Sequence, residues 1–118
     1  MTGQEIIKPE DVENAMTQLL RKYNSLDKVV FDDIVKFHKH FEFIHPFQDG
    51  NGRISRIIMF KECLKNNITP FIILDKEKMY YYRGLKEYDT EKCYLGDTCL
   101  NAQDQYQLLV DKYICNLN

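Results

Sequence analysis

The segment from His45 to Arg56 contains most of the side chains in this sequence that could carry out chemistry together. Gly50 and Gly52 flank Asn51, and glycine adopts backbone angles that are costly for other residues. Successive N–H groups in such a loop can point inward and bind an anion. A helix predicted to begin near Gly52 would add unpaired N–H groups and a dipole that favours phosphate oxygens. The loop is therefore a candidate phosphate-binding site.

Four ionisable side chains surround this loop. Arg53 and Arg56 are three residues apart, which places them on one helix face where both could hold the same polyphosphate. Asp49 could hold Mg²⁺ together with phosphate oxygens, since one carboxylate plus phosphates is a usual arrangement for this ion. His45 ends the preceding helix, and an imidazole can accept a proton from a hydroxyl at neutral pH. Together, these residue types indicate chemistry on a nucleotide.

The elements that must position these residues are predicted to be helices. Glycine and proline are scarce, and apolar residues recur at intervals of three and four. Pro9 can begin the first helix, and Pro46 favours an end of the second helix near His45. The short apolar run 71–74 has no partner strand, so we interpret it as an extended connector or the start of the next helix. The predicted helices cover about residues 9–23, 29–44, 52–66, 76–87 and 99–116, which gives an all-α domain.

Composition narrows the class of protein. A length of 118 residues suits a single domain, predicted over 1–118 with a helical core over 9–116. The formal charge of −2 argues against a duplex nucleic acid as partner, because such a protein needs a surplus of Lys and Arg. No apolar run approaches the ~20 residues that cross a bilayer, and no secretory signal is recognised, so no membrane partner is expected. The four cysteines lack Cys-x-x-Cys spacing, so we expect reduced, mostly packed thiols in a cytoplasmic protein.

The segment from His45 to Arg56 resembles the signature of the Fic family, His-x-Phe-x-(Asp/Glu)-Gly-Asn-Gly-Arg-x-x-Arg, at every specified position. The helical pattern around it is also similar to a Fic core, over roughly residues 9–116. The resemblance implies transfer of AMP from Mg-ATP to a Tyr, Ser or Thr hydroxyl of a target protein, with release of pyrophosphate. Such a site works mainly by positioning and charge stabilisation.

The resemblance implies roles for the residues of the signature loop. His45 would deprotonate the attacking hydroxyl, and Asp49 would hold the Mg²⁺ that bridges the α- and β-phosphates. Gly50, Asn51 and Gly52 would form the anion hole. In that arrangement, the Asn51 side chain would contact the α-phosphate.

It also implies roles for residues on either side of this loop. Arg53 would stabilise the β-phosphate as charge builds on the leaving group, and Arg56 would hold the γ-phosphate. Phe47 would be the buried anchor that fixes the loop. Tyr81 and Tyr82 are weaker candidates for contact with the adenine, since core or rim positions are the more ordinary interpretation of these rings.

Two features of the sequence leave the reaction type open. Doc-like relatives, which phosphorylate, carry Lys at the position of Gly52, so Gly52 favours AMP transfer, while a phosphocholine transferase remains an alternative. Fic proteins normally have a β-hairpin flap that docks the target by strand addition. We expect this flap to be absent or truncated, with residues 1–8 a remnant of it or disordered. A catalytically idle nucleotide-binding or interaction module is therefore the alternative from another class.

The sequence also bears on regulation and on the two histidines outside the signature. The sequence has no (Ser/Thr)-x-x-x-Glu-(Gly/Asn) motif, whose Glu would pair with Arg56 in inhibited relatives. An inhibitory element of this kind, called a brake below, would have to come from upstream sequence or from an antitoxin-like partner in trans. His38 falls on the apolar face of the second helix and His40 on the polar face, so both are interpreted as structural.

Overall fold

A computed structural model of the chain describes residues 7–115, and the regular secondary structure in this range is helical. Single 3₁₀ turns, Pro9–Asp11 and Asp75–Glu77, lead into the first and fourth α-helices. No β-strand lies between residues 7 and 115, and no helix there is long and apolar enough to cross a membrane. The all-α fold is therefore confirmed. The α-helices are α1 (Val12–Asn24), α2 (Phe31–Ile44), α3 (Asn51–Lys65), α4 (Lys78–Lys86) and α5 (Lys92–Cys115).

The chain divides into two compact units, one ending at Met59 and the next beginning at Phe60, so the division falls within α3. In the first unit α1 packs against α2, and the ring centroids of Tyr23 and Phe37 are 4.8 Å apart. The single domain over residues 1–118 stays a prediction. The buried apolar side chains of the first unit are Ile34, Val35, Phe37, Phe41, Ile44 and Met59.

Helix α2 is bounded by local signals that the sequence makes visible. At its start, the Asp33 carboxylate accepts the N–H of Val30 at 2.9 Å, which satisfies one of the backbone groups left unpaired at a helix end. At its end, His45 adopts a left-handed conformation with φ +55° and ψ +60°. The His45 N–H donates to the Phe41 carbonyl at 3.0 Å, which closes the last turn. The helix therefore stops where Pro46 predicted, and His45 begins the loop.

The second unit is built on α4 and α5, which lie in close contact. Gly84 of α4 is buried, and a Cβ atom there would lie only 2.7 Å from the Leu95 Cα atom of α5. The predicted connector before α4 is extended, and Gln103 of α5 donates to the Thr69 carbonyl near its start at 2.8 Å. The buried apolar side chains of this unit are Cys63, Phe71, Ile73, Tyr81, Tyr88, Leu95, Cys99 and Ala102.

The start of the last helix differs from the prediction. Helix α5 begins at Lys92 rather than at Cys99, so Gly96 lies inside it. A glycine costs about 1 kcal/mol in a helix interior. The contact of Leu95 with the Gly84 side of α4 offsets this cost, and that contact is invisible to local helix propensity. The expected flap remnant lies outside the described residues except for Ile7 and Lys8, which have no regular structure, and the predicted helix end at Asn116 lies outside them too.

Some expected helix faces are also corrected. Lys39 of α2, which the alternation of apolar and charged residues in the sequence assigns to the polar face, is only 3% exposed, and its ammonium lies 5.1 Å from the Phe43 ring centroid. Ile57 and Leu64 of α3, which their apolar side chains and the sequence pattern assign to a buried face, are 63% and 57% exposed. Apolar residues occur around most of α3, and only part of a helix surface can be buried.

The cysteines are free thiols wherever the structure describes their side chains. Cys63 and Cys99 are buried, and burial raises their pKa values to about 11 and about 12. Cys93 is exposed, so the expectation of packed cysteines fails at this position. Its side chain extends from the first turn of α5 into solvent.

Candidate functional site

The loop between α2 and α3 is held in shape by the side chain of Asn51. The Asn51 Oδ1 atom accepts the Phe47 N–H at 2.9 Å, and its Nδ2 atom donates to the Phe47 carbonyl at 2.6 Å. Asn51 is only 3% exposed. The resemblance placed this amide on the α-phosphate, but here both of its ends bind the backbone of one loop residue. Its role in this structure is therefore to close the loop.

Gly50 supplies the conformation that starts α3. Its φ of +74° lies in the left-handed region, where a Cβ atom is strained. The Gly50 carbonyl accepts the N–H of Ile54 at 2.9 Å, and this bond begins the α-helical ladder of α3. The backbone N–H groups of residues 51–53 precede that bond, so the helix itself provides no partner for them. They form a positive helix end suited to an anion.

Two guanidinium groups fold back over the glycines of this loop. A Cβ atom on Gly50 would lie 3.4 Å from Arg53 Nη2, and one on Gly52 would lie 3.0 Å from Arg56 Nη1. Each guanidinium therefore lies beside the space that a side chain at the glycine would fill. Arg53 is exposed and Arg56 is half-buried. The two charges and the helix end together make a positive surface of the kind that binds phosphates.

His45 and Asp49 provide the other two ionisable groups of the loop. Both are exposed, and the left-handed turn at His45 carries its imidazole off the end of α2. Asp49 immediately precedes Gly50. Within residues 7–115 there is no cluster of three or more His, Cys, Asp or Glu side chains that could hold a metal. A single exposed carboxylate fits Mg²⁺ bound jointly with phosphate oxygens, which keeps most of its remaining ligands as water.

Buried polar residues on α2 contact the first turns of α3. Ser55 is 2% exposed, and its hydroxyl is within hydrogen-bonding reach of the Glu42 carboxylate and, at 3.0 Å, of the Gly52 carbonyl. His38 Nδ1 lies 3.4 Å from the Ser55 carbonyl oxygen. Burial, with a smaller contribution from the Arg56 charge, lowers the pKa of His38 to about 4. His38 is therefore neutral at pH 7 and structural, as interpreted from the sequence.

Sequence reasoning did not single out Glu42 or Ser55. A signal was available, because His38 and Glu42 are spaced by four residues and so share one face of α2. Ser55 lies between Arg53 and Arg56, and the sequence analysis assigned roles only to these two charged residues. What the spacing could not reveal is which residue of α3 this face contacts.

Two aromatic predictions are changed by the structure. Phe47, expected as a buried anchor, is 49% exposed, and its ring centroid lies 6.4 Å from that of Phe41. The Asn51 amide holds the Phe47 backbone, so the ring need not be buried to fix the loop. Tyr81 is 1% exposed and belongs to the core of the second unit, whereas Tyr82 is 54% exposed. Of the two candidates for an adenine contact, only Tyr82 offers an accessible ring.

Comparison with known proteins agrees with these features. The Fic/DOC family model matches residues 2–63. A protein of Aquifex aeolicus (strain VF5) named "Probable protein adenylyltransferase aq_aa38" is 40% identical over 68 residues, covering 58% of this chain and 20% of that protein. Proteins named "Protein adenylyltransferase Fic" match as well. The one from Nematostella vectensis is 32% identical over 82 residues (67% of this chain, 19% of that protein), and the one from Drosophila mojavensis is 38% identical over 63 residues (53% and 12%).

An all-helical chain with a glycine loop and two arginines at the start of a helix defines a class of candidate phosphate-binding proteins. Since the family model covers more than half of its residues, this chain belongs to the Fic/DOC family. The chain spans about a fifth or less of the length of these curated relatives.

Proposed function

We propose that this chain contains the nucleotide-binding core of a protein adenylyltransferase, which transfers AMP from Mg-ATP to a Tyr, Ser or Thr hydroxyl of a target protein. The observation that carries the proposal is the pair of guanidinium groups, from Arg53 and Arg56, folded over the glycine loop at the start of α3. Relatives named as protein adenylyltransferases over the same region support the same chemistry.

In the proposed complex the triphosphate lies along the first turn of α3. The N–H groups of residues 51–53 would donate to phosphate oxygens, and the loop held by Asn51 would keep them aligned before ATP arrives. Arg53 would bind the β-phosphate and Arg56 the γ-phosphate, as the family resemblance implies. Mg²⁺, held by Asp49 and the phosphates, would neutralise charge on the leaving pyrophosphate.

His45 would act on the attacking hydroxyl. A new bond forms between the hydroxyl oxygen and the α-phosphorus, and the bond from the α-phosphorus to the bridging oxygen breaks. The hydroxyl proton passes to the imidazole of His45, and pyrophosphate leaves with the bond's electron pair, stabilised by Arg53. The exposed position of His45 at the end of α2 supports access by the side chain of another protein.

The test uses ATP labelled at either the α- or the γ-phosphate. Wild-type protein with Mg²⁺ should move the α-label onto itself or onto proteins of a cell lysate, and the γ-label should stay with pyrophosphate. His45→Ala should reduce transfer of the α-label by at least about 100-fold, the usual contribution of a general base. His40→Ala, which removes an imidazole from the same helix outside the loop, is the matched control and should keep transfer.

Other outcomes would identify the alternatives. Transfer of the γ-label would indicate a Doc-like phosphotransferase. Binding of ATP with no transfer of either label would indicate a catalytically idle module. Transfer of the α-label that survives His45→Ala would contradict the role of His45.

A substitution of Arg56 tests whether this side chain binds the nucleotide or is instead held by an inhibitory element. If no brake is carried by this chain, Arg56→Ala should weaken Mg-ATP binding about tenfold, since a charge-assisted hydrogen bond contributes roughly 1.5 kcal/mol or more. Isothermal titration of Mg-ATP into wild type and variant measures this change. Activation by Arg56→Ala would contradict the prediction and would show that a brake acts on this residue. We propose an antitoxin-like partner in trans as the regulator.

A further inference from the structure

We propose that Glu42 and Ser55 are positioning residues that set the register between His45 and the phosphate loop. Glu42 lies outside the family signature, and Ser55 occupies a position where the signature specifies no residue type. The kinetic part of this inference rests on the proposed function, whereas its structural part concerns only how α2 is fixed to the start of α3.

One buried hydroxyl joins the two helices at this point. Ser55 Oγ carries a single proton and has two acceptors in reach, the Glu42 carboxylate of α2 and the Gly52 carbonyl in the first turn of α3. Ser55 is 2% exposed, and hydrogen bonds shielded from water hold their geometry strongly. The contact therefore ties the last turn of α2 to the glycine turn.

A second contact on the same face of α2 fixes the angle of this connection. His38 Nδ1 reaches the Ser55 carbonyl at 3.4 Å, one turn before Glu42. His38 and Glu42 share one face of α2. His45 follows Glu42 by three residues, directly after α2 ends, so its position depends on how this last turn is held. Two separate polar contacts to Ser55 thus define the position of His45 relative to Arg53 and Arg56, which lie on either side of Ser55 in the sequence.

Nucleotide binding and proton transfer to His45, the two functions proposed for this site, depend differently on the connection between α2 and α3. The N–H groups of residues 51–53 and both arginines belong to α3, so most of the proposed contacts with the nucleotide lie on that helix. His45 directly follows α2, so its distance from the α-phosphate depends on how the helices are joined. A displacement of about 1 Å between reacting groups can reduce a rate about 100-fold. Loss of the Ser55 contact should therefore lower kcat and leave the KM for ATP nearly unchanged.

The experiment compares Ser55→Ala, Glu42→Ala and Glu42→Gln with wild type. Glu42→Gln retains an oxygen that accepts the Ser55 proton, so it should behave like wild type. Ser25→Ala is the matched control, because Ser25 is exposed and bonds only locally to the Lys22 carbonyl at 2.7 Å. Measurements are kcat and KM for transfer of the α-label, and hydrogen exchange of the backbone N–H groups of residues 51–56.

Ser55→Ala and Glu42→Ala should each lower kcat at least about tenfold with KM for ATP within about twofold, and the double variant should be no worse than either single one. Their N–H groups over 51–56 should exchange faster, while Glu42→Gln and Ser25→Ala should match wild type. Equal loss in Glu42→Gln and Glu42→Ala, or a rise in KM with kcat unchanged, would overturn the proposal.

The hydrogen-exchange arm separates this inference from the proposed function. If wild type transfers no AMP yet Ser55→Ala and Glu42→Ala accelerate exchange over 51–56, the proposed function fails and the positioning role stands. If exchange is unchanged in both variants, the positioning role fails whatever the activity. Should Ser55→Ala not fold, the comparison of Glu42→Ala with Glu42→Gln decides by the same two readouts.

Discussion

The loop between α2 and α3 and the junction of α4 with α5 use glycine for opposite purposes. Gly50, at φ +74°, turns the chain so that the start of α3 is left open beneath a guanidinium group. Gly84 lets α4 approach α5 so closely that a Cβ atom would meet the Leu95 backbone at 2.7 Å. An absent side chain permits a left-handed turn in the first region and the close approach of a neighbouring helix in the second.

Different kinds of interaction also stabilise the two regions. The loop is fixed by directional hydrogen bonds of buried polar side chains, Asn51 to Phe47 and Ser55 to Glu42. The α4–α5 junction depends on close packing, with a fully buried Tyr81 and Leu95. Hydrogen bonds specify a geometry at small net gain in free energy, whereas packing supplies stability. The first region is therefore expected to be sensitive in activity and the second in stability.

The largest expected effect on stability lies at Gly84. Gly84→Ala should lower the free energy of unfolding by about 3 kcal/mol, because the added methyl group meets backbone atoms that cannot move aside easily. Gly96→Ala is the matched control in α5, where a Cβ atom has nothing within 4 Å. It should stabilise the helix by up to about 1 kcal/mol. Urea unfolding of both variants measures this, and equal effects would contradict the packing role of Gly84.

The next effect is the acid sensitivity of the first unit, which contains His38. The His38 pKa falls from 6.5 to about 4 on folding, so between these pH values the unfolded state binds a proton that the folded state does not. Stability should therefore fall as pH drops from 6.5 to 4, by about 3 kcal/mol, with no further loss from this group below that range. The buried thiols of the second unit affect the pH dependence of stability at alkaline pH instead, because burial raises their pKa values.

His38→Gln tests this prediction when chemical unfolding is measured across the pH range. The difference between wild type and variant isolates the histidine from the carboxylates, which titrate in both. The variant should be less acid-sensitive by about 3 kcal/mol between pH 6.5 and 4. A slope unchanged by His38→Gln would contradict burial of a neutral imidazole.

A smaller effect on stability is expected at Asn51. Asn51→Ala removes two hydrogen bonds to the Phe47 backbone, which should cost about 2 kcal/mol and raise the Kd for Mg-ATP, because the loop is no longer held closed. Asn66→Ala is a suitable control: its amide also donates to a backbone carbonyl, that of Glu62 at 2.8 Å, but in the second unit. A loss of ATP affinity in Asn66→Ala equal to that in Asn51→Ala would remove the distinction between the regions.

The features predicted from the sequence are those determined within a few consecutive residues. Pro46 and the His45 position set the end of α2, and the glycines and arginines of the signature are neighbours in the chain, so their proximity needs no knowledge of the fold. Contacts between distant segments were missed. Burial of Lys39 and the pairing of Glu42 with Ser55 depend on which helix faces which. The early start of α5 depends on a contact across 11 residues of chain, from Gly84 to Leu95.

A crystal structure with Mg²⁺ and a non-hydrolysable ATP analogue tests the central claim most directly. The account predicts phosphate oxygens within ~3 Å of the N–H groups of residues 51–53, both guanidinium groups on the phosphates, and Mg²⁺ on Asp49. A nucleotide bound elsewhere, with Arg53 and Arg56 directed into solvent and the loop in contact only with its own side chains, would contradict it.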